Sequence, residues 1–113
     1  MLAKRHRLSR QAFSEVFRTA RRSHSPLFSL YHQKTNSLRC AVVVSKKIYQ
    51  KAHDRNRLRR QAYGLLEKLK QQQMLRGDLI IIFKPAVRTV ALKDWQGALG
   101  GEIESIVSKG YNS

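Results

Sequence analysis

Cysteine is almost missing from this chain, which has a single one, Cys40. One cysteine excludes a disulfide within the chain and suits a reducing compartment, so we expect a cytoplasmic protein. Long apolar segments are missing too, since the longest aliphatic run, residues 79–83, is much too short to span a bilayer. The basic N-terminus is not followed by the apolar segment that a signal peptide needs, and no membrane partner is expected.

Acidic residues are also scarce, with seven Asp and Glu in 113 residues. No two carboxylates share a short spacing that would coordinate Mg²⁺ for hydrolysis, and the four histidines lack metal-ligand spacing. The neighbours His53 and Asp54 cannot by themselves position a base against a substrate. The sequence therefore predicts no catalytic residue, no metal site and no cofactor in the protein itself, which argues against a small nuclease.

Basic residues are in large excess: 23 Lys and Arg give a formal net charge of +16 and a pI near 11.0. An imbalance of this size is typical of nucleic-acid binding. Residues 1–22 contain seven basic residues and one acidic residue, and residues 39–60 contain eight and one. Residues 91–113 contain two basic and three acidic residues, so we expect the last helix to face away from the nucleic acid.

Apolar periodicity predicts one domain over residues 1–113 with the element order α-β-β-α-β-α. The predicted elements are a helix capped by Ser9, strands at 27–33 and 38–45 joined as a hairpin, a helix at 54–73, a buried strand at 78–84, and a last helix with Leu92, Trp95, Leu99, Ile103, Ile106 and Val107 on one side. This order implies an α/β fold, an α+β sandwich with helices packed on a mixed sheet.

The densest positive charge lies at the start of the predicted 54–73 helix, where Asp54 is the expected N-cap and Arg55, Arg57, Arg59 and Arg60 follow. Cations in this position oppose the helix dipole and repel one another. At about 100° per residue, Asn56, Arg57 and Arg60 point away from the apolar stripe, while Arg55 and Arg59 border it. Because such a break with local preference usually serves a partner, we expect a phosphate-bearing ligand here.

The string SKKIYQKAHDRNRLRR, residues 45–60, closely resembles the signature of the bacterial ribonuclease P protein component. That signature is a lysine pair ending a strand, a short loop, RNR opening a helix, and further basic residues one turn later. The resemblance extends over nearly the whole chain through the F-x-x-x-F pair Phe13 and Phe17, the strand FSLY at 28–31 and GDLIII at 77–82. The chain departs from the family at Tyr63, where another basic residue is common, and in the loop before the helix.

The resemblance implies a protein that binds the catalytic RNA of ribonuclease P and helps it remove the 5′ leader from precursor tRNA, with Mg²⁺ held by the RNA subunit. No DNA partner is expected. We expect the second and third predicted strands to be parallel and joined by the arginine-rich helix. The resemblance implies that this crossover is left-handed, against the general preference for right-handed ones. The residues implied to contact the catalytic RNA are Lys51, Arg55, Asn56, Arg57, Arg59 and Arg60. Those implied to hold the leader are Phe13, Phe17, Tyr31, Lys46 and Lys47.

Two alternatives stay open from the residues alone. A ribosomal or ribosome-associated RNA-binding protein would have the same size and charge but no organised aromatic cleft. On spacing alone, Phe13 and Phe17 at i and i+4 are more typical of a core than of a binding site. With the resemblance, we expect them to stack on single-stranded RNA beside a cationic groove.

Overall fold

A computed structural model describes residues 4–73 and 75–112, so the ends of the predicted 1–113 domain lie outside the described residues. In chain order, the helices and strands are α1 (Arg10–Thr19), β1 (Arg21–His24), β2 (Phe28–Gln33), β3 (Leu38–Val43), α2 (Ala52–Gln71), β4 (Gly77–Phe83) and α3 (Leu92–Asn112). A first 3₁₀ turn spans Lys4–His6 and a second spans Pro85–Thr89. Helices packed on a mixed sheet confirm the predicted fold class.

The four described strands form one sheet in the order β1-β2-β4-β3. β3 and β4 are parallel and α2 joins them, as predicted, whereas the other neighbours are antiparallel. The predicted hairpin between β2 and β3 is wrong, because β4 lies between them. β4 is buried along almost its whole length, and a strand of that kind needs a central position with both faces covered. The left-handed crossover stays a prediction.

β1 was missing from the predicted element order and forms the true hairpin with β2. Its sequence, RRSH, has no apolar residue, so the alternation that identifies a half-buried strand is absent. Register places Arg22 opposite Tyr31 and His24 opposite Ser29. An edge strand of this composition is held mainly by its backbone pairing, and it brings Arg22 into contact with α1.

The main core lies between one face of the sheet and helices α2 and α3. Apolar side chains alternate on this face of β3, as the buried Leu38, Cys40 and Val42 show. The apolar side predicted for α3 is confirmed from Trp95 to Val107. Leu92, predicted on that side, is instead 43% exposed in the first turn of the helix.

The opposite face of the sheet packs against α1 in a smaller cluster built on Val16, Tyr31 and Ile80. Ser9 caps α1 as predicted, because its side-chain oxygen accepts a hydrogen bond from the backbone N–H of Ala12. A helix this short covers only part of the sheet face.

α2 begins earlier than predicted, and the expected Asp54 cap is wrong. The helix starts at Ala52 with Lys51 as its N-cap, and no side-chain hydrogen bond caps it. The Arg55 backbone N–H donates to the Lys51 carbonyl at 3.2 Å, which closes the first turn two residues upstream of the expected start. Asp54 stays in the first turn, where a carboxylate is favourable to the helix dipole.

The segment before α1 covers part of the outer edge of β3. The Leu8 backbone N–H donates to the Cys40 carbonyl at 2.8 Å, and Arg7 forms a parallel bridge with Cys40. His6 Nδ1 donates to the Leu38 carbonyl at 3.0 Å. This short extra strand-like pairing satisfies backbone groups that an edge strand would otherwise present to solvent.

Candidate nucleic-acid interface

Three aromatic residues predicted to act together do lie together, and we call Phe13, Phe17 and Tyr31 the aromatic wall. The Phe13 and Phe17 rings are stacked with centroids 6.0 Å apart, and the Phe17 and Tyr31 rings are stacked at 4.7 Å. Phe17 is 40% exposed, which is unusual for so large an apolar side chain, whereas Tyr31 is only 7% exposed beneath it. Phe17 therefore presents a ring to solvent over a buried aromatic support.

The local sequence explains this arrangement. Phe13 and Phe17 are one helical turn apart on α1, so they lie on the same side of the helix. Tyr31 lies on β2 with its side chain on the α1 face of the sheet, opposite Ile80 of β4. The alternative that Phe13 and Phe17 are core residues is therefore correct for only one of them. Phe13 packs against the smaller cluster, whereas Phe17 extends beyond it into solvent.

Arg22 belongs to this surface, although no sequence pattern pointed to it. Its guanidinium carbon lies 5.4 Å from the Tyr31 ring centroid and 6.0 Å from that of Phe17, and its Nη2 donates to the Phe17 carbonyl at 3.2 Å. The cation is thus held at the aromatic wall by two cation–π contacts and a hydrogen bond. Its position follows from the pairing of β1 with β2, which the sequence did not reveal.

His24 extends the aromatic surface at the end of β1. Its ring meets Tyr31 edge to face, with centroids 6.3 Å apart, and its Nδ1 is 2.7 Å from the Ser29 hydroxyl oxygen. Since Ser29 is buried, this hydrogen bond fixes the orientation of an otherwise exposed ring. His24 is a second residue at this surface that sequence reasoning missed.

Lys46 and Lys47, predicted to follow the leader backbone, line a cavity of about 450 Å³ in the loop between β3 and α2. Lys51 lines the same cavity, together with Asp54 and with Arg88 from the second 3₁₀ turn. The structure therefore groups two residues predicted for the leader with one predicted for the catalytic RNA. The charge that it places directly on the aromatic wall comes from Arg22.

The four arginines of α2 divide into two kinds. Arg57 and Arg60 are exposed with Asn56, and we call these three residues the arginine face. Arg55 and Arg59 are half-buried, as their predicted place beside the apolar stripe requires. The structure thus confirms which of these side chains point away from the core.

The two half-buried arginines donate hydrogen bonds to the protein's own backbone. Arg55 Nη1 donates to the carbonyls of Tyr49 and Gln50 at 3.0 and 2.6 Å. Arg59 donates to Asn56 Oδ1 at 2.7 Å and to the Val44 carbonyl at 3.4 Å. Both side chains tie α2 to the segment that follows β3.

Tyr63, which stands where the family often has a basic residue, is a core residue. Burial raises the pKa of its hydroxyl, opposed by a backbone hydrogen bond with Val42 and by the charge of Arg7. The Arg7 guanidinium carbon lies 5.3 Å from the ring centroid. A packed ring therefore occupies this position, and Arg7 brings positive charge to the same place from another part of the chain.

Within residues 4–73 and 75–112, no three His, Cys, Asp or Glu side chains lie close enough together to hold a metal ion. Over the same residues, no helix is both long and apolar enough to cross a membrane. The single cysteine, Cys40, is buried, and burial raises the pKa of its thiol to about 12.

Comparison with known proteins connects this site to one family. The model of the Ribonuclease P family matches residues 2–106. The chain is 33% identical over 113 residues to the ribonuclease P protein component of Pseudanabaena sp. (strain PCC 6903), covering 96% of this chain and 94% of that protein.

Solved structures show the same fold. An RNase P protein mutant from Staphylococcus aureus with defective mRNA degradation activity superposes with a TM-score of 0.79 at 21% identity, over 93% of this chain and 90% of that one. The RNase P protein from Thermotoga maritima gives 0.77 at 22% identity, over 88% and 96%.

Proposed function

Because this chain belongs to the ribonuclease P protein family, we propose that it binds the catalytic RNA through the arginine face and the 5′ leader of precursor tRNA on the aromatic wall. The family supplies the protein component of an endoribonuclease ribonucleoprotein. The exposed Phe17 ring, stacked on a buried Tyr31 and flanked by Arg22, carries the leader half of the proposal. A ribosomal RNA-binding protein of equal charge has no need for such a surface.

The aromatic wall suits single-stranded RNA of varied sequence. Every base has a face that can stack on Phe17, and stacking contributes about 1–3 kcal/mol per base. Arg22 supplies a cation at the same place, where a phosphate next to the stacked base would lie. A leader can therefore be held through stacking and charge, without base-specific hydrogen bonds.

The arginine face suits a structured RNA. Arg57 and Arg60 are exposed cations one turn apart on α2, a spacing that places two guanidinium groups along one line of the helix surface. Arginine donates to phosphate in a bidentate manner, which fixes register as well as affinity. Arg55 and Arg59 support the shape of this surface through their hydrogen bonds to backbone carbonyls, and Lys51 adds a cation to the neighbouring cavity.

The chemical step belongs, in this proposal, to the catalytic RNA and the Mg²⁺ that it holds. The protein's residues bind the leader and bind the RNA, so they position the phosphodiester to be cleaved instead of reacting with it. Such positioning acts through the affinity for precursor tRNA. We expect the protein to act in the cytoplasm, together with the leader removal that it assists.

A reconstituted enzyme with Phe17→Ala tests the leader half. We expect its affinity for precursor tRNA to fall about tenfold or more, as the loss of one stacked base implies. Affinity for mature tRNA, which has no leader, should barely change. Leu92→Ala is the matched control because, in the part of the chain whose exposure the structure describes, Leu92 is the other exposed large apolar residue, and it lies on α3.

Two results would count against the proposal. Equal losses for precursor and mature tRNA would mean that Phe17 acts on assembly or folding and not on the leader. RNA that co-purifies with the protein and is then sequenced should be the ribonuclease P RNA. Recovery of ribosomal RNA in its place would favour a ribosome-associated protein.

A further inference from the structure

We propose that the 450 Å³ cavity between β3 and α2 binds a phosphodiester group of the catalytic RNA, and that Arg88 is one of its ligands. This inference rests on the proposed function, because it adds a site to an RNA-binding surface. Arg88 lies on the second 3₁₀ turn, about thirty residues after the arginine face and outside every site that the sequence predicted. The charged residues of the cavity are Lys46, Lys47, Lys51, Asp54 and Arg88.

The charge of the cavity selects an anion. Four cations and one carboxylate line it, which gives 4 − 1 = +3. The carboxylate is already occupied, because Asp54 Oδ1 lies 3.7 Å from both Arg57 Nη2 and His53 Nδ1. Cations gathered without acidic partners repel one another, so an anion that neutralises several of them binds favourably.

The walls of the cavity are held from two sides. The Arg88 guanidinium carbon lies 5.2 Å from the Tyr49 ring centroid, which fixes a flexible side chain by a cation–π contact. A stacked guanidinium keeps the N–H groups at its edge available to a phosphate. From the other side, Arg55 holds the carbonyls of Tyr49 and Gln50. The loop that carries the lysines is therefore braced before any ligand arrives.

The cavity is continuous with the arginine face. A smaller neighbouring cavity of about 180 Å³ shares Tyr49, Asp54 and Arg88 with it and is also lined by Arg57. An RNA backbone bound along Arg57 can therefore continue past Arg88 into the larger cavity. This continuity favours the catalytic RNA over the leader as the source of the phosphate.

Equilibrium binding of Arg88→Ala to the catalytic RNA, measured over a series of salt concentrations, tests the proposal. We expect about tenfold weaker binding, as the removal of one charge-assisted hydrogen bond implies. The slope of log affinity against log salt should fall by about 0.7–0.9, as expected for one phosphate contact. Arg88→Lys should keep most of the slope, because it keeps the charge.

Lys34→Ala is the matched control. It removes the same charge from an exposed residue in the turn before β3, at the opposite end of that strand from the cavity. If Arg88→Ala changes affinity and slope no more than Lys34→Ala does, the cavity is not a phosphate site. If the unsubstituted protein shows no preference for ribonuclease P RNA over a control RNA of equal length, it is the proposed function that fails.

A double-mutant cycle tests whether Arg88 and Lys47 share one phosphate. If both side chains bind one phosphate, their effects are coupled, so the Arg88→Ala/Lys47→Ala variant should lose clearly less binding free energy than the sum of the two single losses. For Arg88→Ala combined with Lys34→Ala, the two losses of binding free energy should simply add. Additive losses for Arg88 and Lys47 would overturn the single-site assignment. Unchanged binding to the catalytic RNA with weaker binding of precursor tRNA would assign the phosphate to the leader and overturn the source that we propose.

Discussion

Substitution of the α2 arginines in pairs should separate RNA binding from stability. Replacing Arg57 and Arg60 by Ala should weaken binding of the catalytic RNA while the melting temperature stays nearly unchanged or rises slightly. Replacing Arg55 and Arg59 by Ala should mainly lower the melting temperature. The difference follows from where the side chains lie: the first pair is exposed, and the second donates to backbone carbonyls.

The hydrogen bonds of the second pair set the size of the stability loss. Hydrogen bonds from a charged donor contribute about 1.5–3 kcal/mol each when buried. The Tyr49 and Gln50 carbonyls share one Arg55 nitrogen at a partly exposed site, so we expect about 1–2 kcal/mol from Arg55. Arg59 reaches the Val44 carbonyl only at 3.4 Å and adds about 0.5 kcal/mol or less. At about 4–8 °C per kcal/mol, the pair should lower the melting temperature by about 10 °C.

The interactions of the exposed pair are much weaker. Arg57 Nη2 lies 3.7 Å from Asp54 Oδ1, and an exposed pair at i, i+3 contributes about 0.3–0.5 kcal/mol. Arg57 and Arg60 are themselves a like-charge pair at i, i+3, so removing both also relieves a repulsion of similar size. The two effects nearly cancel, so the melting temperature should change by no more than about 2 °C.

The assay combines thermal denaturation followed by circular dichroism with RNA binding over a salt series. For Arg57→Ala/Arg60→Ala, the salt slope should fall by as much as about 1.8, or about 0.9 for each phosphate that the variant no longer neutralises. A control that removes Lys34 and Lys93, two exposed cations outside α2, has the same net charge. An equal loss of melting temperature in both arginine pairs would refute the division into binding and bracing residues.

Three further predictions concern the interior. Arg39 donates two hydrogen bonds to the buried Asp78 carboxylate, both at 2.9 Å, and these bonds raise the pKa of Arg39. Arg39→Leu should therefore lower the free energy of unfolding by about 2–4 kcal/mol in chemical denaturation, because it leaves a buried charge unpaired. Adding Asp78→Asn should restore part of that loss in the double variant. Cys40, whose pKa burial raises to about 12, should resist alkylation at pH 8 until the protein unfolds; labelling at the rate of a free thiol would contradict its burial. Burial lowers the pKa of His32, whose Nε2 donates to the Arg76 carbonyl, so the unfolded state binds a proton more readily than the folded state. The melting temperature should therefore fall as the pH drops below about 6.5. This fall should be smaller in His32→Gln, which cannot take up the proton.

The strongly periodic parts of the chain were predictable because their periodicity reports burial directly. Ser9 and the i, i+4 pair on α1, the apolar side of α3 from Trp95 to Val107, and the continuous apolar run of β4 all lie where the sequence predicted. β1 was not predictable in this way, since RRSH carries no apolar alternation. The false β2–β3 hairpin arose because consecutive strands usually pair, whereas the burial of β4 on both faces places it between them.

The candidate site was predictable only as far as its residues lie on one element or belong to a known motif. Phe13, Phe17 and Tyr31 came from the family resemblance, and the structure brings them together. Arg22 and Arg88 reach their surfaces through contacts between elements distant in the chain. No local pattern encodes such contacts, because they depend on strand order and on the path of the chain after β4.

The pairing of the segment before α1 with the outer edge of β3 has a consequence for how variants of this protein should be made. A truncation that removed the chain through Leu8 would leave the carbonyls of Leu38 and Cys40 without the donors that now reach them. An exposed strand edge offers a template for pairing with a second molecule, so such a truncation would favour self-association. Affinity tags and fluorophores are therefore better attached beyond α3, where this strand edge stays covered.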